Sequence, residues 1–67
     1  MDINIKINLW QLREKQGLSV RKLSEISGVS KSAISPTENG DKLPRIDTLC
    51  KLAKALNVKL DELISYE

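Results

Sequence analysis

Histidine and phenylalanine are absent from the 67 residues, and cysteine, tryptophan and tyrosine occur once each. Without histidine, the sequence excludes a zinc site built from cysteines and histidines, and it excludes catalysis by an imidazole base. The single cysteine, Cys50, cannot form an internal disulfide. Because the serines have no histidine to activate them, we predict no catalytic residue, no metal and no other cofactor. An enzyme is therefore not expected.

Long apolar runs are also missing. No stretch of about 18 apolar residues is present to cross a membrane, and no basic start followed by an apolar segment predicts a signal peptide. We therefore expect a cytoplasmic protein with no membrane partner. The length predicts one domain over residues 1–67, with a core small enough that a partner subunit would help to stabilise it.

Charge is distributed unevenly along the chain. The net charge is +2, from 11 basic and nine acidic residues, but three of the acids are Asp61, Glu62 and Glu67, which leaves a balance of +5 up to Leu60. This asymmetry suits a face that binds nucleic acid and an acidic opposite end. Composition alone is equally consistent with charges that only solvate a small helical protein.

Apolar periodicity predicts an all-α fold of five helices. The first helix should span about residues 7–16, the fourth residues 46–56 and the short fifth residues 60–65. The isoleucines at positions 3, 5 and 7 alternate, which indicates either an extended arm or an irregular lead into the first helix. Trp10 should be partly exposed. The predicted core consists of Leu12, Leu23, Ile26, Val29, Ile34, Leu49, Leu52, Leu56 and Leu63.

The central stretch, residues 19–40, predicts two short helices joined by a tight turn. Two serines suit the N-cap positions and two glycines suit the C-terminal ends: Ser19, Ser30, Gly28 and Gly40. The second of these helices should run from Lys31 to Glu38 or Asn39. This is the helix-turn-helix plan, whose second helix can enter the major groove of DNA.

The segments GLSVRKLSEISGVSKSAISPTENG and LPRIDTLCKLAKALNVKLDEL together resemble the lambda-repressor and Cro-like helix-turn-helix family, also called the XRE family. The resemblance covers about residues 5–64. It implies a five-helix domain that binds double-stranded DNA, and specifically a transcriptional repressor that binds a palindromic operator as a homodimer. A protein-interaction module, or an antitoxin or controller-type protein with degenerate DNA reading, is the alternative. No small-molecule ligand is indicated.

The resemblance also implies roles for individual residues. The positions that read bases match Lys31, Ser32, Ser35 and Pro36. Helix N-termini attract phosphate, and together with the resemblance this assigns phosphate or minor-groove contacts to Ser19, Val20, Arg21, Ser30, Lys42 and Arg45. Val20 replaces a family glutamine. Arg13 and Glu38 match a structural ion pair, and the expected dimer contacts near the fifth helix are Val58, Leu60, Ile64 and Tyr66.

Pro36 and Thr37 depart from the family pattern within the predicted recognition helix. Pro36 would be the sixth residue of that helix, where proline loses one hydrogen bond, crowds the Ser32 carbonyl and costs about 3 kcal/mol. Thr37 adds a hydroxyl where relatives bury a side chain. We therefore expect a helix that is kinked or shortened there, or a remodelled region.

Overall fold

The computed structural model describes residues 3–67 and contains five α-helices and two short strands. In chain order these are β1 (Ile5–Ile7), α1 (Leu9–Lys15), α2 (Val20–Ser27), α3 (Lys31–Asn39), α4 (Ile46–Ala55), α5 (Leu60–Leu63) and β2 (Ile64–Tyr66). The predicted five-helix class is confirmed. Within residues 3–67, no helix is both long and apolar enough to cross a membrane.

The two strands form an antiparallel ribbon that joins the beginning and end of the described chain. Ile5 lies opposite Tyr66, Lys6 opposite Ser65 and Ile7 opposite Ile64. The arm is therefore extended, although its first two residues, Met1 and Asp2, lie outside the described part. The predicted continuation of the fifth helix to residue 65 is wrong, because residues 64–66 pair with β1 and adopt strand geometry instead. For the same reason α1 begins at Leu9 and not at residue 7.

The core lies where α2, α3, α4 and α5 meet the buried side of α1. Its buried apolar residues are Leu9, Leu23, Val29, Ile34, Leu49, Leu52, Ala53, Leu56 and Leu63. Leu12, which was predicted to be buried, is half-buried and packs against this cluster. Trp10 is 51% exposed, in agreement with its predicted position at the edge of the first helix.

The prediction that Ile26 is buried is wrong, since its side chain is 46% exposed. On α2 the half-buried residues are Val20, Ser24 and Ser27, which lie on one side of the fully buried Leu23. At 100° per residue, Ile26 lies on the other side of Leu23. The three-residue spacing of Leu23 and Ile26 therefore predicted an apolar stripe along α2, but it did not show which side of Leu23 is buried. Ile46, at the first position of α4, is likewise 61% exposed despite its place in the apolar repeat.

Candidate nucleic-acid interface

The helices α2 and α3 are joined by the three residues Gly28, Val29 and Ser30. Gly28 has φ 77° and ψ 9°, a left-handed conformation that glycine adopts without steric cost. Val29 is buried directly after it and anchors the corner in the core. The chain then leaves the corner in an extended conformation at Ser30 and enters α3. The turn thus fixes the direction of α3 relative to α2 and the core.

The first turn of α2 is capped as the sequence predicts. Ser19 has extended backbone angles, and its Oγ accepts a hydrogen bond from the Lys22 amide across 3.0 Å. Next to it, Val20 is half-buried and packs against the core, so its side chain belongs to the domain's packing. Arg21 is exposed and lies 3.7 Å from Glu25 in a loose ion pair. Arg21 is therefore accessible to a ligand at this helix end.

The first turn of α3 differs from the prediction in one respect. Ser30 occupies the N-cap position, but its side chain makes no capping hydrogen bond. Its Oγ instead lies 3.2 Å from the Oγ of Ser32. Both serines are exposed, as are Lys31 between them and Ser35 one turn later. The accessible side of α3 therefore presents a basic and hydroxyl-rich surface, with no acidic residue in the first turn.

Ile34 and Thr37 form the buried side of α3. The predicted extent of this helix, from Lys31 to Glu38 or Asn39, is confirmed, and of the alternatives considered at Pro36 the shortening does not occur. The Thr37 side chain is 2% exposed, and its hydroxyl donates to the Ala33 carbonyl oxygen across 2.8 Å. After Asn39, the amide of Asp41 donates to the Pro36 carbonyl across 3.0 Å and closes the helix end.

Arg13 connects α1 to the end of α3. Its Nε donates to Glu38 Oε2 across 2.6 Å and its Nη2 donates to Glu38 Oε1 across 3.1 Å, which makes a bidentate ion pair. Both side chains are less than 10% exposed. Its Nη1 also donates to the Leu18 carbonyl across 2.8 Å. The hydrogen bond to Glu38 raises the pKa of the Arg13 guanidinium above its ordinary value. The pair therefore fixes α3 against α1 and against the loop that leads into α2.

The loop between α3 and α4 borders α3. A shallow groove of about 240 Å³ is lined by Ala33 and Thr37 of α3 together with loop and α4 residues, namely Lys42, Leu43, Pro44, Arg45 and Thr48. The Arg45 side chain is 87% exposed and lies 3.5 Å from Asp47. The tertiary structure thus brings both loop cations next to α3. Leu43, 59% exposed between them, was not singled out from the sequence, although an apolar residue flanked by lysine and proline in a loop was a usable signal.

The four predicted dimer residues differ in accessibility. Val58, Leu60 and Ile64 are half-buried and pack against the core, whereas Tyr66 is 76% exposed.

Among residues 3–67 there is no group of three or more cysteine, aspartate or glutamate residues that could hold a metal ion.

Comparison with known proteins shows which family and which relatives the chain resembles. The Helix-turn-helix family model matches residues 11–63. The HTH-type transcriptional regulator PuuR of Escherichia coli (strain K12) is 44% identical over 57 residues, which are 85% of this chain and 31% of PuuR. The HTH-type transcriptional regulator SutR of the same strain is 38% identical over 61 residues, 91% of this chain and 34% of SutR. The chain spans about a third of the length of these relatives.

Among solved structures, the restriction-modification controller protein C.AhdI from Aeromonas hydrophila aligns with a TM-score of 0.78 at 33% identity. The alignment covers 82% of this chain and 83% of C.AhdI. The structural match therefore extends over most of both chains.

Proposed function

Because the chain belongs to the helix-turn-helix family of DNA-binding transcriptional regulators, we propose that it is a repressor that binds a palindromic operator as a homodimer. The observation that carries this proposal is the exposed side of α3, where Lys31, Ser32 and Ser35 are accessible while Ile34 and Thr37 anchor the opposite side in the core. The helix can therefore enter the major groove without disturbing the fold.

Base reading is assigned to the accessible side chains of α3. Lys31 can donate to O6 and N7 of guanine, and Ser32 can bond several base edges. Ser35 is one turn further along and contributes a less selective hydroxyl. Pro36 has no donor, so its contribution is an apolar contact to a thymine methyl group. Most of the sequence preference should therefore come from the first turn of α3.

Phosphate contacts are assigned to groups that flank α3. Free backbone amides at the starts of two helices can donate to phosphate oxygens. One is the start of α2, after Ser19 and including Val20. The other is the start of α3, after Ser30. Arg21 stands beside the first of these ends. Lys42 and Arg45 approach from the loop that shares a groove with α3. These cations would fix the position of the domain on the duplex without reading sequence.

A homodimer follows from the small reach of the recognition helix. The nine residues of α3 span about 13 Å, which is too short to read a long sequence. Two-fold dimers of helix-turn-helix proteins bind half-sites about 34 Å apart. A second copy would thus double the number of bases read and would match a palindromic site.

Control of restriction-modification genes is a second candidate, favoured by the structural match to C.AhdI over most of both chains. Such a protein would bind DNA through the same surface, so the two candidates differ in the genes they control. An interaction module that no longer reads DNA is less well supported, because α3 is not shortened by Pro36.

Selection of binding sites from a pool of random-sequence duplexes tests the proposal. We expect a selected palindrome whose affinity falls with salt at a log–log slope of about −0.9 for each phosphate neutralised. Addition of the selected duplex should shift the backbone NMR signals of residues 30–35, whereas a scrambled duplex of equal length should not do so at the same concentration. Shifts confined to α4 and α5 would contradict this docking.

A further inference from the structure

The ribbon formed by β1 and β2 has one apolar face and one polar face. Side chains alternate along a strand, and the pairing register therefore places Ile5, Ile7, Ile64 and Tyr66 together on one face. Two backbone hydrogen bonds between Asn4 and Glu67, of 3.1 and 2.9 Å, extend the ladder outward and add Ile3 to the same face.

The opposite face carries the polar side chains of the ribbon. Lys6 and Ser65 are directly opposite each other, and the Lys6 Nζ lies 2.8 Å from Glu67 Oε1. The charges of the ribbon are thus separated from its apolar face and are paired with each other.

Only the inner part of the apolar face is covered by the domain. Ile7 and Ile64 are half-buried and pack against the core. The outer part, formed by Ile3, Ile5 and Tyr66, is 60%, 49% and 76% exposed. These three residues line a groove of about 270 Å³ with Ile64 and Ser65. Within the part of the chain that the structure describes, no charged residue lines this groove.

We infer that a second copy of this chain covers the outer face, with the two ribbons packed face to face across a two-fold axis. This inference rests on the proposed function, which requires two copies held in a fixed relation. A two-fold interface places the same patch on both subunits, and a face made of isoleucine and tyrosine is complementary to itself. Since no charged side chain lines the groove, a strongly charged ligand gains nothing from it.

The exposed area of the face can be compared with the area that a stable interface buries. Taking roughly 250 Å², the upper value for an aromatic side chain, as a bound for each residue, the exposed fractions of Ile3, Ile5 and Tyr66 amount to at most roughly 450 Å². A stable interface buries about 800 Å² on each partner. The ribbons alone therefore hold at most a weak dimer, and the pair is completed on DNA.

Binding to adjacent half-sites supplies the missing affinity. DNA acts as the tether and raises the effective concentration of one copy near the other to about 1 mM. If the Kd between ribbons lies below that effective concentration, the second copy binds more tightly than the first. The ribbon thus links occupation of the two half-sites.

Sedimentation equilibrium without DNA tests the contact directly. The wild-type chain should show association that depends on concentration up to about 1 mM. Tyr66→Asp should abolish it, and Ile3→Asp should do the same. Trp10→Asp serves as the matched control, because it also replaces an exposed aromatic residue, 51% accessible on α1, with a carboxylate. Circular dichroism confirms that each variant is folded. A wild-type chain that is monomeric at about 1 mM, or association that survives Tyr66→Asp, would overturn the inference and leave the face to another protein or to none.

Selected duplexes with one or two half-sites provide the second measurement. Tyr66→Asp should bind one half-site as tightly as Trp10→Asp does, but should lose the cooperativity that Trp10→Asp retains on two half-sites. Normal cooperativity in Tyr66→Asp would refute the ribbon contact while the proposed DNA binding stands. Self-association through the ribbon, with no duplex recovered from the random pool, would refute the proposed function while the ribbon contact stands.

Discussion

The Thr37 hydroxyl donates a hydrogen bond to the Ala33 carbonyl oxygen across 2.8 Å, one residue after the proline within α3. Thr37 is 2% exposed, and a buried hydroxyl without a partner would cost about 1–3 kcal/mol. The bond removes that cost within the helix itself. The remaining unfavourable feature of this region is Pro36, which cannot donate to the Ser32 carbonyl.

Replacing Pro36 with glutamine should stabilise the protein. The change restores an amide donor to α3, so the free energy of unfolding should rise by up to about 3 kcal/mol, while affinity for a selected operator should change less than about tenfold. Urea denaturation and titration with DNA measure the two effects. Pro44→Ala, in the loop before α4, is the control and should give no such gain. A less stable Pro36→Gln variant would show that the proline fits α3 without strain.

Removing Arg13 should destabilise the protein strongly. Arg13→Met leaves the buried Glu38 carboxylate and the Leu18 carbonyl without their donor, at a cost of about 3 kcal/mol. Arg21→Met is the control, because that side chain is 80% exposed and 3.7 Å from its partner, and it should cost less than about 0.5 kcal/mol. Equal effects of the two substitutions in urea denaturation would contradict the structural role of Arg13.

The contribution of Arg13 should not change between neutral and moderately alkaline pH. Its pKa is raised in the folded protein by the hydrogen bond to Glu38. A raised pKa stabilises the fold fully below the unfolded value and is lost only as pH rises through the folded value. Both lie above about pH 10 for arginine. The stability difference between wild type and Arg13→Met should therefore be the same at about pH 7 and about pH 10, as measured by urea denaturation.

The two N-cap serines should respond differently to alanine. Ser19→Ala removes the bond to the Lys22 amide and should cost about 1 kcal/mol. Ser30→Ala removes only a contact with the Ser32 hydroxyl, so its effect on thermal stability should be clearly smaller. If Ser30→Ala is the more damaging of the two, the Ser30 hydroxyl caps α3 in solution.

Two apolar residues on α2 provide a test of the packing. Leu23 is fully buried, and Leu23→Ala should cost about 2–5 kcal/mol. Ile26 is 46% exposed and loses much less burial on substitution, so Ile26→Ala should cost about 1 kcal/mol or less. Chemical denaturation of both variants provides the comparison, and similar losses would place Ile26 in the core.

Lys31 and Arg45 should affect DNA binding in different ways. Lys31→Ala should relax the preference at one base position, at a cost of about 1–3 kcal/mol on the selected site. Arg45→Ala should weaken binding to all duplexes alike and reduce the salt slope by about one. Affinities for the selected site and for single-base variants separate the two effects. A loss of sequence preference in Arg45→Ala would assign that side chain to base reading.

Much of the helical framework was predictable from the sequence because helix ends and apolar stripes are local features. The beginning of α2 after Ser19, its end at Gly28 and the extent of α3 all follow from caps and stops within a few residues of each other. The candidate interface could be predicted from the sequence for the same reason, since the helix-turn-helix pattern places Lys31 and Ser32 at the start of the second helix. The spacing of Leu49, Leu52 and Leu56 likewise identified the buried side of α4.

Features that depend on residues far apart in the chain were decided by the tertiary structure. The ribbon forms because folding brings Ile5–Ile7 beside Ile64–Tyr66, and backbone pairing between these segments replaces the last two residues of the predicted fifth helix. The exposure of Ile26 depends on how α2 is rotated against its neighbours. Lys42 and Arg45 line a groove with Ala33 and Thr37 of α3, and Arg13 of α1 pairs with Glu38 of the same helix. Local sequence therefore determined the ends of α2 and α3. Strand pairing determined where α1 begins and where α5 ends, and packing determined which helix faces are covered, because both depend on partners that local spacing does not specify.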